Sequence, residues 1–108
     1  MKLHTVFYQA IDLKPRSSAR KEFTNNTSFS NVIYLFYKDE ECLYIGETGV
    51  SLADRIYVHT PKEQSSPWYK EGNTIHIIQL DKTIDDIARQ TLESVFILAY
   101  RPKYNKKA

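Results

Sequence analysis

Six side chains spread over residues 34–105 could between them hydrolyse a phosphodiester: Tyr34, Tyr44, Arg55, His59, Glu93 and Asn105. That reaction needs an in-line nucleophile and an acceptor for its proton. It also needs positive charge on the non-bridging oxygens and help for the leaving oxygen. Phenols and an imidazole can handle protons. A guanidinium forks onto two phosphate oxygens.

Each residue also has a plainer use. Tyr34 ends the apolar run Asn31-Val32-Ile33-Tyr34, and Tyr44-Ile45-Gly46 follows one short turn later. Side chains alternate along a strand, so Val32, Tyr34 and Phe36 share one face, and Tyr44 and Gly46 share a face of the next strand. An odd-length turn would set Tyr34 opposite Tyr44, with two phenols flanking one surface patch. Tyrosines in such places usually pack. Gly46 serves either as a turn glycine or as a point of close backbone approach. Arg55 and His59, at i and i+4, share a helix face, and elsewhere would be a surface pair. Glu93 borders an apolar stripe, with Arg89 four residues before it as the obvious ion partner. Cys42, the only cysteine, reads as a half-buried structural thiol and excludes an intramolecular disulfide or a cysteine-cluster zinc site.

The elements that must position these groups follow from pattern. Leu3–Ile11 is rich in strand formers and reads as an edge strand. Residues 14–30 are polar and read as a loop or arm. Val32–Tyr37 and Leu43–Gly46 form a hairpin around Lys38–Glu41. Ser51-Leu52-Ala53-Asp54 fits a capping box, predicting a helix to about Thr60 with Leu52 and Ile56 packed on the sheet. Residues 61–73 read as a loop and Ile75–Leu80 as a third strand. Thr83-Ile84-Asp85-Asp86 opens a second helix. Its apolar residues Ile84, Ile87, Ala88, Leu92, Val95, Phe96 and Ala99 recur at 3.6-residue spacing, and Pro102 ends it. The expected fold class is α+β, a small three-stranded antiparallel sheet flanked by helices. Residues 1–30 form an N-terminal extension, and 31–108 the main domain.

A chain of 108 residues with 42% hydrophobic and 26% charged side chains is one globular domain. No apolar run approaches the ~18 residues of a membrane span, and residues 1–9 lack a signal-peptide pattern. An intracellular, cytoplasmic protein is expected. The net charge of +2 is unevenly spread. Residues 1–31 carry Lys2, Lys14, Arg16, Arg20 and Lys21 against Asp12 and Glu22, a net +3. Residues 94–108 carry Arg101, Lys103, Lys106 and Lys107 and no acid, a net +4, which leaves −5 for residues 32–93. Attraction to phosphate must therefore come from the two ends. Glu40, Glu41 and Glu47 would repel it.

The ordered series, with the block Tyr44-Ile45-Gly46-Glu47-Thr48-Gly49-Val50-Ser51-Leu52-Ala53-Asp54-Arg55 at its centre and His59 four residues on, resembles the GIY-YIG nuclease family. The resemblance covers about residues 31–105. Val32 stands where the family's first tripeptide usually has glycine. The resemblance implies a metal-dependent endonuclease acting on DNA. Tyr34 would accept the water's proton, and Tyr44 would orient water and phosphate. A phenol of pKa about 10 is a poor base at neutral pH, so a nearby cation would have to help it. Arg55 and His59 would hold phosphate or assist proton transfer. Glu93 would bind one Mg2+ or Mn2+ ion. Gly46 and Asn105 would support the site, Asn105 by side-chain bonds to local backbone. Lys14, Arg16, Arg20, Lys21, Lys103, Lys106 and Lys107 are the expected nucleic-acid contacts. A homodimer or a partner protein is a further expected source of affinity. Two alternatives stand beside this reading. One is a catalytically silent nucleic-acid- or protein-binding module of the same fold. The other is an RNA-directed nuclease, since phosphate contacts carry no base information.

Overall fold

The strand Val32–Lys38 has five consecutive buried residues, Val32 to Phe36, so it must be covered on both faces. A computed structural model places it at the sheet's interior. The structure describes residues 1–59 and 66–105, without the side chains of Val58 and His59. In chain order the elements are β1 (Lys2–Phe7), a 3-10 turn (Ala10–Asp12), α1 (Ser18–Asn26), β2 (Val32–Lys38) and β3 (Glu41–Thr48). Then come α2 (Leu52–Asp54), which continues as a π-helical turn over Arg55–His59, α3 (Pro67–Glu71), β4 (Thr74–Gln79) and α4 (Asp86–Tyr100).

The sheet order is β1-β4-β2-β3, and every pairing is antiparallel. The fold is α+β as expected, but with four strands rather than three. The fourth is β1, the edge strand read over Leu3–Ile11, which spans Lys2–Phe7 and pairs with β4 from Lys2↔Gln79 to Phe7↔Thr74. Alternation splits the core into two layers. Val32, Tyr34, Phe36, Ile75 and Ile77 face Phe23, Leu52, Ile56 and Trp68. Ile33, Leu35 and Ile45 face Leu92, Phe96 and Ile97 of α4. Leu52 and Ile56 are 0% and 1% exposed, so they seat α2 and the turn that follows it on the sheet.

Two helices lie where loops were expected. In α1 the Ser17 hydroxyl accepts the Arg20 N–H at 3.1 Å, a true N-cap. Phe23 is the one buried residue among nine, too little apolar repeat to betray a helix. In α3, Pro67 opens a five-residue helix that buries Trp68 and Tyr69. The expected capping box at Ser51 does not form: Ser51 makes no side-chain cap bond, and α2 widens into the π turn after three residues. Such turns gather at functional sites. Helix α4 is capped by Asp85, whose carboxylate accepts the Ala88 N–H at 2.9 Å. It ends at Arg101 in a left-handed conformation before Pro102. Among the described residues no helix is long and apolar enough to cross a membrane.

Candidate active site at the end of the β3 edge

Strand pairing sets the two tyrosines diagonally rather than face to face. Tyr34 pairs with Gly46 and Phe36 with Tyr44. The two-residue turn Asp39–Glu40 sets Lys38 against Glu41, and a bulge beside Phe36/Tyr37 then shifts the register. The expected Tyr34–Tyr44 pairing needed an odd-length turn; the two-residue turn alone would set Tyr34 against Ile45, and the bulge moves it one residue further to Gly46. The rings still meet, with centroids 6.3 Å apart and planes tilted 39°. Tyr34 is 1% exposed, so it lies beneath the surface instead of flanking a patch. Tyr44 is half-buried.

Gly46 is there for Tyr34. A Cβ at Gly46 would lie 2.7 Å from Tyr34 Cε1 and closer still to its Cζ and hydroxyl. The phenol occupies the room that a side chain would take. Gly46→Ala should therefore push Tyr34 out of place, with a loss of roughly 1–3 kcal/mol from overpacking and a larger loss of activity. Urea unfolding and cleavage assays of that variant check both. Wild-type activity with Ala at 46 would remove Tyr34 from the chemistry.

Arg55 opens the π turn, and Glu93 sits midway along α4. Arg55 lies at the far end of β3, an edge strand, and its charge reaches Glu93. An open hollow of about 530 Å³ there is lined by Glu47, Thr48, Gly49, Val50, Arg55, Asp86 and Arg89. Burial holds the half-buried Glu93 carboxyl above its ordinary value. The charge of Glu47 raises it further, and Arg55 pulls it down. Glu93 thus feels charges from two other elements, Glu47 on β3 and Arg55 on the π turn. The His59 side chain lies outside the described residues.

Asn105 works on backbone. Its side-chain oxygen accepts the Ile45 N–H at 2.8 Å, and its amide donates to the Ile45 carbonyl at 2.9 Å. Tyr104 N–H and Lys103 N–H donate to Leu43 and Cys42. The segment after α4 therefore closes the free edge of β3 on both sides of Tyr44.

The GIY-YIG catalytic domain model matches residues 30–105 of this chain. The chain belongs to the GIY-YIG nuclease family. No curated protein and no solved structure is significantly similar to it.

Two residues of this GIY-YIG domain escaped sequence reasoning. Arg89 is 6% exposed and is not the partner of Glu93. It bonds Glu47 at 2.5 Å, the Asn31 side-chain oxygen at 2.8 Å and Asp86 at 2.8 Å. Glu47, which would otherwise repel phosphate, is thereby ion-paired, with Asp86 sharing the same guanidinium. Burial works against the charge on Arg89, yet its carboxylate partners outweigh that and stabilise it. The acids at 85–86 just before Arg89 were the available signal. The other residue is Trp68, whose indole lies on the Tyr44 ring.

The basic groups fall at two places. Arg16, Arg20 and Lys21 border a shallow hollow of about 340 Å³ along α1, and Lys14 is exposed just before it. The Arg20 guanidinium lies 3.9 Å over the ring of Tyr57, in the same π turn as Arg55. Lys103 approaches Glu71 at 3.9 Å. Lys106 and Lys107 lie outside the described residues.

The raised Glu93 pKa carries a stability prediction. Between the ordinary carboxylate value and the raised one, the folded protein binds more protons than the unfolded chain. Stability contributed by this group therefore falls as pH rises through that window. Glu93→Gln should match the parent in Tm at low pH and exceed it near neutrality. Thermal melts across pH check this, and a constant difference at every pH would contradict it.

Proposed function

We propose that this GIY-YIG domain is a divalent-metal-dependent endonuclease that hydrolyses phosphodiester bonds in DNA. The observation that carries the reading is that Glu93 on α4 feels the charge of Arg55, which opens the π turn and lines the hollow at the end of β3. A carboxylate beside a guanidinium in a half-buried site is what phosphoryl hydrolysis asks of a protein.

The donor set fits a hard, hydrated ion. Among the described residues no three His, Cys, Asp or Glu side chains cluster. A full protein cage is absent there, and a single carboxylate suits Mg2+ or Mn2+, which keep several waters. Bound at Glu93, such an ion supplies positive charge to the phosphoryl oxygens. The chain's own groups do the rest. Arg55 forks onto the non-bridging oxygens. Tyr44, the more exposed phenol, orients the attacking water and phosphate. Tyr34, held beneath it in the space left by Gly46, takes the proton. Arg89, paired with Glu47, offsets part of that carboxylate's repulsion of phosphate.

Capture of the substrate falls to the ends of the chain. The α1 hollow with Lys14, Arg16, Arg20 and Lys21, and the tail with Lys103, Lys106 and Lys107, would track the backbone. Binding should weaken steeply with salt, and each lost phosphate contact should reduce the log–log slope by about 0.9 on duplex DNA. Fluorescence anisotropy of a labelled duplex across a salt series measures this. A variant neutralised at these positions that binds with the parental slope would make them solubilising charges only.

The reading itself is tested with a substrate panel in Mg2+: supercoiled plasmid, single-stranded DNA, branched DNA and RNA. Cleavage of a DNA member is expected. Cleavage of RNA alone would turn the assignment to an RNA-directed nuclease. Binding without cleavage of any member would leave a binding module.

A further inference from the structure

Trp68 is the only tryptophan of the chain, and at 5% exposure its indole is shielded from solvent. The indole lies parallel to the Tyr44 ring, 4.3 Å between centroids and 7° between planes. It also leans on Phe36 at 4.7 Å. Phe36 stands edge-on to Tyr34 at 6.0 Å, and Tyr34 closes the circuit to Tyr44 at 6.3 Å. Four aromatic rings thus form one closed cycle. Two of them carry the phenols assigned to the chemistry, and the other two, an indole and a phenyl, have no titratable group.

We propose that Trp68 is a positioning residue for Tyr44, its stacked indole holding the phenol in one orientation beside Tyr34. The inference rests on the nuclease reading of this site. A ring covered by a parallel partner cannot swing about its side-chain bonds without uncovering that face. The backbone that carries the indole is anchored as well. The Trp68 carbonyl accepts the Gly72 N–H at 3.0 Å, and a Cβ at Gly72 would lie 2.7 Å from that carbonyl and from the Tyr8 hydroxyl. The Tyr8 hydroxyl donates to the Tyr69 carbonyl at 2.7 Å, and the Asn73 N–H donates to Tyr37 at 2.8 Å. Helix α3 therefore has a fixed seat, and of the two phenols the buried Trp68 stacks directly on Tyr44 alone.

The test compares Trp68→Leu, Trp68→Phe, Tyr44→Phe and the Trp68→Leu/Tyr44→Phe double variant in plasmid cleavage with Mg2+. Misplacing a reacting group by an ångström costs roughly 100-fold in rate. Trp68→Leu should lose about that much in kcat with KM little changed, and Trp68→Phe, which keeps a ring to stack, should retain most of the rate. The double variant should be no slower than Tyr44→Phe alone, because both changes act through one phenol. Full rate in Trp68→Leu overturns the proposal. So does a double variant that loses the Trp68 factor a second time. A second arm needs neither cleavage nor a Trp68 variant. In wild-type protein carrying 13C-labelled tyrosine, the Tyr44 ring signals, assigned by their loss in Tyr44→Phe, should be shifted by the indole and show slow ring flips. Unshifted, freely averaged signals overturn the proposal. Should the wild type cut nothing, the nuclease reading falls, while the ring signals still decide whether Trp68 orients Tyr44.

Discussion

Replacing Arg55 with alanine is expected to lower kcat by roughly 10²–10³-fold, the usual cost of removing one donor aimed at charge that develops in the transition state. Fold stability should scarcely move. Leu52 and Ile56 carry the burial of this segment, at 0% and 1% exposure, and Arg55 stands between them on the open side. Changes away from the core usually cost within about 0.5 kcal/mol. Arg55→Lys should recover little, since an ammonium cannot fork onto two oxygens. Single-turnover cleavage and thermal melts of both variants separate the effects. An Arg55→Ala protein that cuts at the parental rate would remove the guanidinium from the site. One that unfolds would make it structural.

The second large effect falls on stability. Arg89→Met should cost on the order of 3 kcal/mol, because it leaves the partly buried Glu47 carboxylate without its cation. Arg89 also joins three pieces of chain: Asn31 before β2, Glu47 on β3 and Asp86 at the start of α4. Its loss frees the helix that carries Glu93 from the strand it faces, so activity should fall together with stability. Adding Glu47→Gln should restore part of the stability, since the stranded charge is then gone. Urea unfolding of the two single variants and the double measures the coupling. A loss under about 0.5 kcal/mol for Arg89→Met would show the network to be surface-like.

The contrast between these residues shows what was legible in the chain. Strands β2, β3 and β4 and helix α4 announce themselves by apolar runs and by a 3.6-residue period, because each buries a whole face. Helices α1 and α3 do not, because one or two aromatic anchors hold them: Phe23 in one, Trp68 and Tyr69 in the other. Strand alternation placed Tyr34 on one face with Val32 and Phe36, and the structure keeps it there. It could not supply the register, which a bulge resets so that Tyr34 meets Gly46. Arg55 and Glu93 stood out by family spacing, and the fold brings them within electrostatic reach. Arg89 stayed hidden because an Arg four residues before a Glu suggests a local helical pair. Its guanidinium instead crosses to a strand, and only the tertiary fold shows that.

The central claim is that Glu93 supplies the carboxylate on which metal-dependent cleavage depends. The direct test is plasmid cleavage by wild-type and Glu93→Ala protein in Mg2+, in Mn2+ and in excess chelator. The expected result is wild-type nicking that needs the metal and stops with chelator, and a folded Glu93→Ala protein that binds the same DNA and leaves it intact. Metal-dependent cutting by Glu93→Ala at the wild-type rate would contradict the account.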